Sequence, residues 1–184
     1  MRIKNRMMTF VLAASMSLSL MACGQTESKH NHENHGDAIE NETAKQSRET
    51  TMSKEDVQKI LSAYLAVKNN LVKTDGTTAS ESAKALISLL DGNNDQLIKE
   101  IANDAEHIMG TKDPEHQRSH FNTLSDNVYT LVKNTSANEQ PIYRQFCPMA
   151  FGNKGAYWLS AEKEVNNPYF GDKMLHCGSV KEEL

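Results

Sequence analysis

The sequence predicts a mainly α-helical domain: an antiparallel four-helix bundle carrying a C-terminal β-hairpin and an ordered loop. Three observations predict it. Four stretches between Ser53 and Asn134 place apolar residues at the 3.6-residue helical period, and short polar turns separate them. After Asn134 the period changes to that of short strands. The 184-residue length fits one domain, and a mean hydropathy of −0.61 with 6% aromatic residues implies that part of the chain joins no core.

Taken in order, Arg2, Lys4 and Arg6 form a basic start, and Met7 to Met21 form an uncharged apolar run too short to span hydrocarbon. Residues 1–22 therefore read as an export signal. It ends in Leu20-Met21-Ala22-Cys23, which resembles a bacterial lipobox. That resemblance implies cleavage before Cys23, lipidation of its thiol and anchoring to a cell membrane, so the protein is expected on the periplasmic or surface side. Cleavage takes the formal charge from −4 to −7, because Arg2, Lys4 and Arg6 leave with the signal. An acidic chain without a basic patch argues against nucleic acid as a partner.

Residues 23–52 read as a lipidated, disordered tether, in which Ile39 is the only large apolar side chain from Gly24 to Thr51. It contains His30, His32 and His35, three imidazoles on one short segment. They can wrap a borderline metal such as Zn(II), Cu(II) or Ni(II), or serve only as solvated linker.

The folded domain spans residues 53–184. Ser53 caps the first helix with Asp56 at capping-box spacing, and Val57, Ile60, Leu61, Tyr64, Leu65, Leu71 and Val72 mark its stripe. Thr74-Asp75-Gly76-Thr77 breaks it. A second helix is expected from about Ala79 to Leu90, and a third from about Asp95 to Met109 with Leu97, Ile98, Ile101, Ala105 and Ile108 inward. Asp113-Pro114 starts the fourth, with Asp at the cap and Pro at the first helical position. Residues 141–146 and 155–159 read as two strands of a hairpin, and Asn166 to Gly178 as a loop that something must hold.

Candidate chemistry gathers at the C-terminal end. Cys147-Pro148-Met149 ends the first strand, where alternation would put Cys147 and Met149 on one face, and Met174-Leu175-His176-Cys177 lies in the loop. Two thiols and two thioethers form a soft set suited to Cu(I) or Ag(I), with His120 and His176 as possible further ligands. The same spacing also admits a Cys147–Cys177 disulfide in an exported chain, or two free buried thiols. His107 and His116 fall on polar faces and receive no role. No Gly-rich phosphate loop, H-E-x-x-H helix or G-x-S-x-G elbow occurs, and Ser119 and His120 are helix neighbours that cannot face each other as nucleophile and base, so no enzyme is expected.

Gln117-Arg118, Phe121, Leu124-Ser125, Cys147-Pro148-Met149-Ala150, Gly155-Ala156-Tyr157-Trp158-Leu159-Ser160, Asn167-Pro168-Tyr169-Phe170-Gly171 and Met174-Leu175-His176-Cys177-Gly178 together resemble a bacterial domain of unknown function. That family occurs as stand-alone exported lipoproteins and fused to periplasmic adaptor subunits of copper and silver efflux systems. The resemblance covers about Ser53 to Val180. It implies a helical bundle with a C-terminal cysteine–methionine segment, an association with heavy-metal homeostasis and an efflux adaptor as partner, and it carries over no activity or ligand set. Two functional readings remain: a membrane-anchored Cu(I)/Ag(I) binder, or a disulfide-stapled structural or partner-binding lipoprotein without metal.

Overall fold

The computed structural model describes residues 52–184. The expected signal peptide, Cys23 and the histidines of the tether lie outside the described residues. The described part is mainly helical, with a small antiparallel sheet at its C-terminal end.

Helices α1 (Lys54–Val72), α2 (Gly76–Ser88), α3 (Gln96–Met109) and α4 (Pro114–Thr135) each start at a side-chain cap: Ser53, Asp75, Asp95 and Asp113 accept from backbone N–H groups of their first turns. Helix α2 starts earlier than its apolar stripe predicts. Thr74, at φ 58°, makes the turn, and the Asp75 carboxylate takes the Thr78 N–H at 3.0 Å, so the breaker sequence is also a helix start. Gly76 is needed there for space, because a Cβ would run into the Lys112 carbonyl oxygen. Helix α1 packs on α2 and α4, and α3 on the same two, around a core that includes Ile60, Leu71, Leu86, Ile101, Leu124 and Val128.

The expected hairpin is present as β1 (Tyr143–Cys147) and β2 (Ala156–Ser160), joined through the short helical turn α5 (Ala150–Asn153). The sheet has a third strand, β3 (Ser179–Glu183), and its order β2-β1-β3 puts β1 in the centre. β3 is Ser-Val-Lys-Glu-Glu, an edge strand that buries nothing fully; main-chain pairing and the bonds of Glu182 to Tyr129 and Lys133 hold it, so no apolar pattern announces it. The expected loop before it holds a single 3-10 turn at Gly171–Lys173.

Buried polar side chains tie the sheet and loop to the helices. The Tyr64 hydroxyl meets the Ser125 hydroxyl at 2.8 Å and accepts from the Leu159 N–H at 3.0 Å. Arg118 donates from Nε to the Pro168 carbonyl at 2.8 Å and from Nη2 to the Leu71 carbonyl and the Thr74 hydroxyl, and its Nη1 pairs with Glu115 at 2.7 Å. Lys68, buried in α1, reaches Glu162 at 3.2 Å; burial lowers its pKa and the Glu162 charge opposes that.

Candidate functional site

Sheet register brings the two cysteines together. Phe146 pairs with Ser179 in the antiparallel β1–β3 ladder, so the residues that follow Phe146 meet those that precede Ser179. Gly178 makes this entry possible: its φ is 148°, and a Cβ would stand 2.8 Å from the Phe146 carbonyl oxygen and 3.1 Å from the Trp158 ring. As a result the Sγ atoms of Cys147 and Cys177 are 2.9 Å apart, with both thiols free. Cys147 is buried and Cys177 half-buried.

Asn167 holds the loop that carries Cys177. It is fully buried; its Nδ2 donates to the Cys177 carbonyl at 2.9 Å, its Oδ1 accepts from the Tyr169 N–H at 2.8 Å, and its own N–H donates to the Leu175 carbonyl at 2.8 Å. The Asn167 amide is thus a main tie of the loop, beside Arg118 at the Pro168 carbonyl and the buried Tyr169 ring. The neighbouring Cys147 thiol raises the pKa of Cys177, through their hydrogen bond first, with burial adding to it and a backbone hydrogen bond from Met149 pulling the other way. One shared proton resists leaving two adjacent sulfurs.

The methionines are tied to this pair through main chain. Strand alternation does not extend to Met149, because β1 stops at Cys147 and Pro148-Met149 form a turn; Cys147 points inward while Met149 is 47% exposed. Met174, half-buried, accepts the Cys177 N–H at 3.0 Å in the turn that both occupy. His176 is exposed and places Nδ1 2.9 Å from the Val165 carbonyl oxygen.

His120 belongs to a different constellation. Its Nδ1 is 3.2 Å from a carboxylate oxygen of buried Asp104, its ring stacks on His107 at 4.1 Å between centroids, and His116 lies at 5.1 Å. A nitrogen from each of the three histidines falls within 4.8 Å of the others. His107 and His116, which polarity alone left without a role, are thus the side chains that sequence reasoning passed over. A signal existed: His116 and His120 are four residues apart on one helix, which puts them on one face, and His107 sits in the last turn of the preceding helix across a short connection.

Residues 60–140 match the family model described as Protein of unknown function (DUF3347), so a DUF3347 domain occupies that span. No match was found among the curated proteins or the solved structures. The matched span holds most of α1, all of α2 to α4 and the three clustered histidines, and it ends before Cys147.

Proposed function

We propose that the protein is a membrane-anchored extracytoplasmic binder of Cu(I) or Ag(I) that sequesters the ion or passes it to an efflux adaptor. The observation that carries the reading is the 2.9 Å approach of two free thiols. Thiolates are the preferred ligands of soft monovalent ions. Two sulfurs on one ion at about 2.3 Å each lie about 3.8–4.6 Å apart, so the pair opens by about 1–2 Å when an ion enters. Met149 and Met174 are thioethers on the two turns that flank the pair and act as accessory soft ligands, with His176 at the rim. In this reading the scaffold is an antiparallel four-helix bundle, supported by short connections and by each helix packing on two others. Cys23 carries the lipid, and His30, His32 and His35 capture divalent ions near the membrane.

A stapled lipoprotein without metal is the second reading, and the same approach favours it, since a disulfide of about 2.05 Å needs less than about 1 Å of closure. One experiment separates them. The reduced full chain should compete with a soft-metal chelator for Cu(I), lose that ability in the Cys147→Ser, Cys177→Ser variant and keep it when residues 30–35 are deleted. Free Cu(I) at a hundred times its dissociation constant should add about 2.7 kcal/mol of stability. If Cu(I) neither competes nor raises Tm, and Cys147 and Cys177 resist alkylation in the unfolded, unreduced chain, the staple is the account.

A further inference from the structure

We propose that His107, His116 and His120, with Asp104 behind them, form a second metal site, one that takes a borderline divalent cation of the Zn(II), Ni(II) or Cu(II) class. The site is independent of the thiol pair: its ligands stand on α3 and α4, are nitrogen rather than sulfur, and lie in the helical span that matches the family model.

The ligand set has the right chemistry and the right support. Imidazole is the ligand of choice for these ions, and three of them leave a fourth position for water. A histidine ligand commonly donates its other ring N–H to a carboxylate, which fixes tautomer and ring orientation. Asp104 is placed to do this for His120, receiving Nδ1 at 3.2 Å and leaving Nε2 for the ion. That partnership also accounts for a carboxylate that is only 7% exposed.

The backbone around the site is pinned by one buried amide. Gln117, next to His116, donates from Nε2 toward the carbonyls of Ile108, Thr111 and Gly76 at 3.1, 2.8 and 2.8 Å, so the end of α3, the α3–α4 connection and the start of α2 are clamped at one point. His107 and His116 open onto a surface cleft of about 350 Å³ that Glu106 and Thr111 also line, which gives an ion a way in. Three nitrogens at about 2.0–2.1 Å from a tetrahedral ion lie about 3.3–3.4 Å apart. Binding therefore draws the nitrogens in from a spread of up to 4.8 Å and opens the parallel stack of His107 on His120, and two of the three residues, His107 and His116, are exposed.

The test titrates Zn(II) calorimetrically into the full chain carrying His30→Ala, His32→Ala, His35→Ala, Cys147→Ser and Cys177→Ser, so that neither the tether histidines nor the paired thiols contribute. One equivalent should bind. His107→Ala with His116→Ala in that background should abolish binding while metal-free circular dichroism melts stay unchanged, since both side chains are exposed. Asp104→Asn should weaken binding about 10- to 100-fold. The chain with wild-type cysteines, titrated in parallel, should lose one equivalent on the same double histidine substitution, which covers a background variant that folds poorly. Absence of Zn(II) binding, or unchanged stoichiometry and affinity without His107 and His116, overturns the site. Unchanged affinity in Asp104→Asn overturns the part given to Asp104.

Discussion

The helices α1 to α4 and the C-terminal segment after β1 are held by the same forces in different proportions. Between the helices the contacts are mainly apolar, with a few buried polar ties such as Gln117 and the Tyr64–Ser125 pair: Ile60, Leu86, Ile101, Phe121 and Leu124 are fully buried, and hydrophobic burial has no preferred direction. The C-terminal segment also buries Trp158, Leu159 and Tyr169, but its loop is placed by a denser set of buried polar groups. Asn167 spans its loop, the Gln145 amide donates to the Glu162 carbonyl at 2.9 Å, and Arg118 reaches out of α4 to the Pro168 carbonyl. Hydrogen bonds are directional, so they set positions to tenths of an ångström where a packed stripe sets only a face. The paired thiols depend on such positioning throughout, whereas in the histidine cluster helix spacing places His116 beside His120 and the Gln117 clamp brings His107 to them.

Substitutions that strike one region and not the other can break this contrast. Leu124→Ala removes a fully buried side chain of the helical core and should cost about 3–5 kcal/mol in urea unfolding, while the pattern of thiol reactivity in the remaining folded fraction stays as in wild type. Asn167→Ala should cost less, about 1–3 kcal/mol, yet expose Cys177 to alkylation in the native state, because the amide that holds its carbonyl is gone. If Leu124→Ala disturbs the thiols more than Asn167→Ala does, the division between the two regions fails. Ser53→Ala, which removes the α1 cap 3.1 Å from the Asp56 N–H, should cost about 0.5–2 kcal/mol and leave both sites untouched.

The smallest effect is in pH. The neighbouring thiol raises the Cys177 pKa in the folded protein above the ordinary 9.0. As pH rises past that value the unfolded chain releases the proton first, so the stability due to the protonated thiol is present below it and lost as pH climbs through the folded value. Reduced wild type should therefore lose more stability than Cys177→Ser between neutral and alkaline pH, read from paired denaturation curves. Equal losses would mean that the two thiols do not share a proton.

The helices were legible because each carries its own evidence. Asp113-Pro114 starts α4 where capping chemistry puts it, and the stripe through Phe121, Leu124, Val128, Leu131 and Val132 is the face the fold buries. The two hairpin strands were legible from the change of period. The third strand was not, since Ser179–Glu183 is charged and joins through backbone groups that every residue possesses. The roles of Gln117 and Arg118 were equally hidden: both are polar residues on a helix, and only their burial turns them into clamps. Cys147 and Cys177 stood out as residues to watch; the i, i+4 spacing of His116 and His120 was legible too, but that His107 joins them from another helix was not.

What the sequence determined by itself, then, is local: periodic burial, capping, turn placement and the presence of thiols and thioethers near the C-terminus. These follow from interactions between residues a few positions apart. Tertiary structure decided which side chains meet. The 2.9 Å thiol pair depends on the β1–β3 register and the Asn167 clamp, and the grouping of His120 with His107, His116 and Asp104 depends on how α3 turns into α4. The physical reason is that contact between residues thirty positions apart is fixed by the sum of packing and hydrogen bonds throughout the chain, which no short stretch of sequence contains.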